Sequence, residues 1–294
     1  MCQFCTEHGE GKKWYLQMRS YSHELLHAEL APEQQEIVRA PTRLEWNRRF
    51  IRGFVLPAAG GAAERSGDAW EPAEGRVAGR RPSRAEVLAR WQVTHFGQVL
   101  PLEDAELVVD MVDSITRLPC GCRYQTTGKE DQRYCFGIGM NKLGILDGFP
   151  DLASSFEVLS KDEAKSALRA YDREGLMHSA WTGVTPCVVG ICNCDRDCGA
   201  YRSYIEQRGM PIFFRAEYVC RSDWDLCAGC KSCMKQCQFG AIFYSSALRK
   251  VHIDPTRCFG CGVCRAACKH DAISLLPREE HPEAAGLWLG PSPK

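Results

Sequence analysis

The sequence lacks any long apolar run and any net charge. No stretch approaches the roughly 20 apolar residues that a membrane-spanning helix needs, and the opening MCQFCTEHGEGKK has neither a basic start with an apolar core nor twin arginines. The 37 basic residues balance 37 acidic ones, so there is no overall attraction to nucleic acid. We therefore expect a cytoplasmic protein with no membrane span and no nucleic-acid partner.

Familiar cofactor and nucleophile motifs are absent as well. HGEGKK at 8–13 lacks the GxxxxGK spacing of a phosphate-binding loop, and GIGMNKLG at 137–144 misses the GxGxxG dinucleotide fingerprint. The radical-enzyme pattern CxxxCxxC does not occur, because Tyr201 stands where Cys194 and Cys198 would need a third cysteine. The sequence thus predicts no catalytic residue, and the chemistry that it does indicate rests on cysteine.

Cysteine is the residue that the sequence has in excess, with 18 in 294 residues. Eight of them form two copies of CxxCxxCxxxC, offset by 31 positions: Cys227, Cys230, Cys233 and Cys237, then Cys258, Cys261, Cys264 and Cys268. Such compact runs are typical of cubane iron–sulfur ligands rather than of a secreted disulfide framework. Two zinc sites are the alternative, because cysteine quartets also bind zinc.

The stretch from about Glu217 to Leu276 resembles a bacterial two-cluster ferredoxin module, through CAGCKSCMKQCQFGAI and CFGCGVCRAACKHDAI. The resemblance implies two 4Fe–4S clusters in which the fourth cysteine of each run serves the other cluster. The implied ligands are Cys227, Cys230, Cys233 and Cys268 for the first cluster, and Cys258, Cys261, Cys264 and Cys237 for the second. Gln238 and Lys269 replace the usual proline after each run, so the usual very low potential is not implied.

The other ten cysteines lie outside the module. They include two CxC pairs, Cys120 with Cys122 and Cys192 with Cys194. Because a CxC pair can place two thiolates on adjacent corners of one cluster, we expect these four to hold an additional cluster. The further candidate ligands are Cys135, Cys198, Cys2 and Cys5, which bring the candidates to eight, enough in number for one or two clusters beyond those of the module. Zinc, or thiols that are only buried or redox-active, are the alternatives, and Cys187 and Cys220 are expected to be small buried hydrophobes.

A second resemblance covers nearly the whole chain apart from a linker. LPCGCR, ICNCD and the opening MCQFCTEHGEGKKWYLQ resemble a family of ferredoxin-module proteins from anaerobic bacteria. This resemblance implies a cysteine-rich N-terminal domain attached to the module, and it implies no substrate and no catalytic residue.

Helical periodicity dominates the sequence before the module. Capping boxes at Ser83 and Ser160 predict helix starts, and apolar spacing predicts a helix from about Leu102 to Thr116. We expect an α+β protein with a mainly helical cysteine-rich N-terminal domain followed by a two-cluster ferredoxin-like module. The predicted segments are a CxxC and helical segment at 1–56, a flexible linker at 57–82, the cysteine-rich helical domain at 83–216, the module at 217–278 (repeats of about 217–247 and 248–278) and a tail at 279–294.

These patterns together favour iron–sulfur electron transfer, in which single electrons pass through two 4Fe–4S clusters and an additional cluster in the N-terminal domain. The expected partners are redox proteins, including subunits of a larger oxidoreductase. Two alternatives stay open: an iron–sulfur oxidoreductase whose N-terminal CxC site is catalytic, and a redox or oxygen sensor.

Overall fold

A computed structural model describes residues 13–17, 51–55, 57–59, 97–140, 149–184, 187–198 and 213–288, together with a few isolated positions. Within these ranges, no helix has both the length and the apolar character needed to cross a membrane. The predictions for Cys2, Cys5, the helices between 20 and 50 and the linker beyond residue 60 lie outside the described residues.

A seven-stranded sheet occupies the centre of the N-terminal part. Its strands are β1 (Gly97–Leu100), β2 (Ile115–Leu118), β3 (Cys135–Ile138), β4 (Glu157–Leu159), β5 (Met177–Val184), β6 (Cys187–Cys194) and β7 (Phe213–Phe214). The strand order is β4-β2-β3-β6-β5-β1-β7. Neighbouring strands are antiparallel, except that β7 runs parallel to β1.

Three helices accompany this sheet: α1 (Leu102–Met111), α2 (Gly121–Thr127) and α3 (Lys161–Glu174). The capping box at Ser160 is confirmed, because Glu163 N–H donates to Ser160 Oγ at 3.3 Å and Glu163 Oε2 accepts from Ser160 N–H at 2.8 Å. Val108 of α1 and Leu168 of α3 are fully buried against Phe136 of the sheet. The two helices therefore cover one face of the sheet.

The prediction of a mainly helical N-terminal domain is wrong, because the fold is mixed α/β around a large sheet. Residues 177–182 of β5 are all buried. This strand therefore lacks the alternation of polar and apolar residues that is typical of a strand with one solvent-exposed face. The predicted helix at 102–116 ends at Met111, and Ile115 begins β2. Strands that are buried on both faces are therefore hard to recognise from periodicity alone.

The module follows as a compact unit with two short sheets. Its elements are β8 (Tyr218–Ser222), α4 (Ser232–Gln236), β9 (Ile242–Ser245), β10 (Lys250–Ile253), α5 (Val263–Ala266) and β11 (Ile273–Pro277). Strand β8 pairs with β11 and β9 with β10, both antiparallel. The part of the chain that the structure describes thus contains five α-helices, of which the two in the module are single turns.

The second half of the module packs against the edge of the large sheet. Val99 of β1 and Phe213 of β7 share one buried core with Phe259 and Val263 of the module. At the rim of this contact, Arg265 donates two hydrogen bonds to the Glu103 carboxylate, at 2.7 and 2.8 Å. The module is therefore docked onto the sheet by both apolar packing and a bidentate ion pair.

Candidate metal centres

The two cysteine runs of the module fold as two copies of one loop. In each copy the N–H of the first cysteine donates to an aspartate carbonyl four residues earlier, at 3.0 Å. An alanine N–H four residues after the last cysteine donates to its Sγ, at 3.3 Å in the first copy and 3.4 Å in the second. The residues in these contacts are Asp223, Cys227, Cys237 and Ala241 in the first copy, and Asp254, Cys258, Cys268 and Ala272 in the second.

One glycine in each loop permits the tight turn between the first two cysteines. Gly229 has φ of 69° and Gly260 has φ of 72°, both in the left-handed region. A Cβ at Gly229 would lie 2.1 Å from the Arg249 carbonyl oxygen, and a Cβ at Gly260 would lie 2.1 Å from that of Tyr218. Both sterics and backbone conformation therefore require glycine where a backbone carbonyl of another segment contacts each loop.

The first candidate site is a cleft lined by three cysteines of one run and the last cysteine of the other. Cys227, Cys230, Cys233 and Cys268 line it together with Val251. Burial and these neighbouring thiols, with Cys268 foremost among them, raise the pKa of Cys233 to about 11. The Cys230 side chain is exposed. This site therefore opens to the surface of the module.

The second candidate site is more enclosed and shows the same exchange of cysteines. Burial raises the pKa of Cys261, and the thiols of Cys258 and Cys237 add to the effect. The thiol of Cys264 likewise has Cys261, Cys258 and Cys237 as electrostatic neighbours. Cys258, Cys261 and Cys264 are all buried. Cys237 of the first run thus lies with the first three cysteines of the second run.

Cys220 is a neighbour of the second site that the sequence reasoning did not place there. Its Sγ lies 3.6 Å from Cys264 Sγ, and its N–H donates to Cys258 Sγ at 3.3 Å. The 31-residue offset maps Cys220 onto Val251, which lines the first cleft. The repeat register therefore makes the two positions equivalent, and only the structure shows that each lies beside a cysteine site.

Two buried guanidinium groups stand beside the second site. Arg278 donates to the carbonyls of Ala216, Tyr218 and Cys258 at 2.7, 2.7 and 2.9 Å. Arg215 donates to the Cys258 carbonyl at 3.0 Å, and burial together with the charge of Arg278 lowers its pKa to about 10. Positive charge in a buried environment favours the more negative, reduced state of a nearby cluster.

A third group of cysteines gathers where β3 begins and β6 ends. Cys120 Sγ lies 3.3 Å from Cys135 Sγ, and Cys194 Sγ lies 3.3 Å from Cys198 Sγ. The Cys192 thiol contacts those of Cys135 and Cys194, and the Cys122 thiol contacts that of Cys198. The six thiols form one continuous chain of contacts in the order Cys120, Cys135, Cys192, Cys194, Cys198 and Cys122. We call this group the six-thiol cluster.

Local structure explains how these cysteines meet. Cys192 and Cys194 lie two residues apart on β6, and alternate residues of a strand share one face of the sheet. Cys120 immediately precedes α2 and accepts a hydrogen bond at Sγ from Tyr134 N–H at 3.0 Å. Hydrogen bonds from Cys120 and Cys192 lower the pKa of Cys135 to about 5, whereas hydrogen bonding and burial raise the pKa of Cys120.

A buried arginine accompanies the six-thiol cluster. Arg123 Nη1 donates to both Asp195 carboxylate oxygens at 2.9 and 2.8 Å, and the guanidinium lies 4.6 Å from the centre of the Tyr134 ring. Its Nε and Nη2 are buried and have no hydrogen-bond partner among the described residues. The charge of Arg123 interacts with the thiols of Cys198 and Cys120.

In the described part of the chain, no group of three or more His, Cys, Asp or Glu side chains is arranged to hold a single metal ion. A cubane bonds each thiolate to a different iron, so cluster ligands need not converge on one point. The donor set at each module site is four thiols from two loops, which fits a 4Fe–4S cluster.

Residues 226–273 match the 4Fe–4S dicluster domain family. The indolepyruvate oxidoreductase subunit IorA of Thermococcus kodakarensis is 34% identical over 86 residues, which cover 28% of this chain and 12% of that subunit. A component of the ion-translocating oxidoreductase complex of Methanosarcina acetivorans is 45% identical over 49 residues, or 17% of this chain and 18% of that component. A ferredoxin of Mycobacterium bovis is 35% identical over 54 residues, or 17% of this chain and 46% of the ferredoxin. No solved structure matches the chain.

The chain therefore spans only about 12% of the length of IorA and less than half of the ferredoxin. What it shares with these proteins is a 4Fe–4S dicluster domain that transfers electrons, and the predicted cofactor, two 4Fe–4S clusters, is confirmed. The ligands of each cluster and the role of the N-terminal part stay predictions.

Proposed function

We propose that this protein relays single electrons between redox proteins of the cytoplasm through the two cubanes of its module. The observation that carries the proposal is the exchange of cysteines between the runs, since Cys268 lies with Cys233 and Cys237 lies with Cys264. Two sites that share their loops are necessarily close, and closeness is what a relay of electrons needs. A cubane, when bound, takes up or releases one electron with little rearrangement.

In this proposal each run contributes three ligands to one cluster and one to the other. The first cluster takes Cys227, Cys230, Cys233 and Cys268, and the second takes Cys258, Cys261, Cys264 and Cys237. The amides of Ala241 and Ala272 donate to the two exchanged sulfurs. Hydrogen bonds to the ligand sulfurs stabilise the reduced cluster, because they favour the state with more negative charge.

In this proposal the redox partner docks beside the first site and exchanges electrons with it. Cys230 is exposed, and Trp224 and Leu226 beside the same run are 46% and 53% exposed. Similarity to parts of two larger oxidoreductases supports a place in such an assembly. We further assign the chain to the ferredoxin-module proteins of anaerobic bacteria, on LPCGCR, ICNCD and the opening segment.

Cysteine-to-serine variants of the anaerobically purified protein test this proposal, with electron paramagnetic resonance during a redox titration as the measurement. We expect one-electron signals from two module clusters. Cys227→Ser and Cys268→Ser should alter one signal, and Cys258→Ser and Cys237→Ser the other. If Cys237→Ser and Cys227→Ser alter the same signal, the exchange of ligands is wrong. If neither module cluster accepts an electron from a reductant, the relay itself is wrong.

A further inference from the structure

The six-thiol cluster has no part in a relay that uses only the eight cysteines of the module. Its members come from three separate places in the chain: the start of α2, the start of β3 and the end of β6 with the turn after it. Two of its thiol pairs lie at 3.3 Å, and every member contacts at least one other. Long-range convergence of six thiols indicates a site for a thiophilic group, since packing alone does not require sulfur at six positions.

Arg123 independently points to an anionic occupant. It is 6% exposed, and two of its donor nitrogens are buried without a partner among the described residues, although Asp195 occupies the third. A buried donor without an acceptor lowers the free energy of unfolding, because its hydrogen bonds to water are lost and not replaced. A cluster held by thiolates carries negative charge and presents sulfur atoms that accept hydrogen bonds. Such a cluster would therefore supply both the charge and the acceptors that Arg123 lacks.

The six-thiol cluster also lies next to the second site of the module. Cys194 and Cys198 share one buried core with Phe259 and Cys261. The ring of Phe259 stacks on that of Phe239 at 3.8 Å between centres. Both rings belong to the loops of the second site, because Phe259 follows Cys258 and Phe239 lies two residues after Cys237. The two sites are thus in contact through one buried apolar core.

Gln238 provides a direct polar connection between the two sites. It follows Cys237, its side chain is buried, and its Nε2 donates to the Cys194 carbonyl and to the Gly175 carbonyl, each at 2.9 Å. Arg196 donates in the opposite sense, to the Cys237 carbonyl at 3.0 Å. A ligand of the second cluster and a member of the six-thiol cluster are therefore joined through one side chain and one hydrogen bond.

We propose that the four thiols of the two CxC pairs, Cys120, Cys122, Cys192 and Cys194, hold a third iron–sulfur cluster, which exchanges single electrons with the second cluster of the module. The inference rests on the two-cluster relay proposed above and extends it into the N-terminal part. One electron leaves the second cluster and enters the third, so each site changes charge by one and no proton or further reactant takes part. Gln238 is a positioning residue that fixes the two sites relative to each other.

Iron and acid-labile sulfide counts on the full chain, reconstituted anaerobically with iron and sulfide, test the third cluster. We expect about 12 irons and 12 sulfides per chain, since each cubane holds four of each. The double variants Cys120→Ser with Cys122→Ser, and Cys192→Ser with Cys194→Ser, should each lose about four irons while both module signals persist. Cys187→Ser, at the opposite end of β6, is the matched control and should lose none.

The outcomes separate this inference from the relay. About eight irons in the parent protein, with both module signals present, would overturn the third cluster and leave the relay intact. Zinc without extra sulfide, or a disulfide between these cysteines in the reconstituted protein, would overturn it as well. About four irons or fewer, with a module signal missing, would instead contradict the relay. Persistent module signals in the double variants show that those variants are folded.

Gln238→Met tests the connection, because methionine keeps the approximate volume and removes the amide donor. We expect unchanged iron content but weaker magnetic interaction between the reduced second and third clusters, and slower equilibration between them after rapid reduction. Gln236→Met, two positions away at the end of α4, is the matched control and should change neither. If Gln238→Met leaves both the interaction and the rate at parent values, Gln238 has no positioning role.

Discussion

The glycine at the second site offers a prediction whose size follows from the geometry. Gly260→Ala would place a Cβ 2.1 Å from the Tyr218 carbonyl oxygen and 2.8 Å from its carbon. That carbonyl cannot retreat freely, because it accepts a hydrogen bond from the buried Arg278 at 2.7 Å. The left-handed backbone costs alanine about 1–2 kcal/mol, and forcing the strand away adds about 1–3 kcal/mol. We therefore expect a destabilisation of about 2–5 kcal/mol.

Gly128→Ala is the matched control for this experiment. Gly128 has φ of 68°, close to the 72° of Gly260, but a Cβ there would meet nothing within 4 Å. The control thus carries the backbone cost of about 1–2 kcal/mol without the collision. The difference between the two variants isolates the contact between the loop and β8.

The measurement is the rate at which cluster absorbance bleaches in a fixed concentration of guanidinium under anaerobic conditions. Because each 1.4 kcal/mol is a factor of ten in rate, we expect Gly260→Ala to bleach about 5- to 150-fold faster than Gly128→Ala. Paramagnetic resonance should show that the second cluster is lost before the first. Equal bleaching rates for the two variants would refute the steric argument, since only the collision distinguishes them.

Two further predictions concern charge. Arg215→Met should lower the reduction potential of the second cluster by on the order of 100 mV, because a unit charge at an assumed separation of about 8 Å and an effective dielectric constant of about 20 contributes about 2 kcal/mol. A redox titration in which the potential of the second cluster does not fall would contradict this. Burial raises the pKa of Asp172 from 3.8 to about 6, so its contribution to stability is fully present below about pH 3.8 and is lost as the pH rises through 6. At pH 7 the free energy of unfolding of Asp172→Asn should therefore exceed that of the parent by about 1 kcal/mol after allowance for partial exposure, and near pH 4 the two should be equal. Chemical denaturation at both pH values measures this difference. A difference that does not change with pH would show that the carboxylate charge is not the cause.

The module could be predicted from the sequence because its determinants are local. Four cysteines within eleven residues, a glycine between the first two and a 31-residue repeat indicate the two loops, and the resemblance to a two-cluster module implies which cysteines they exchange. The sheet of the N-terminal part could not, because β5 is buried on both faces and shows no alternation. The capping box at Ser160 could also be predicted, because it too is local: both of its hydrogen bonds join residues within one stretch of four.

The contact of Gln238 with the N-terminal part cannot be predicted from the sequence. The sequence shows Gln238 only as a replacement for the proline that follows bacterial runs of this kind. Its partner, the Cys194 carbonyl, lies 44 residues earlier in the chain. Proline has no side-chain donor, so the replacement is what allows this position to bind the N-terminal part. The replacement of proline by Gln238 therefore creates a hydrogen bond between the module and the six-thiol cluster.

The different surroundings of the two module sites would give the proposed relay a direction. The two loops of the module are nearly equivalent in hydrogen bonding and glycine geometry, so their ligands alone would set similar potentials. Their surroundings differ, because Cys230 of the first site is exposed whereas Arg215 and Arg278 are buried against the second. Buried cations stabilise the reduced state more than solvated ones do, since water screens the latter. We therefore expect electrons that enter at the exposed site to move downhill to the second site, on the side that faces the six-thiol cluster.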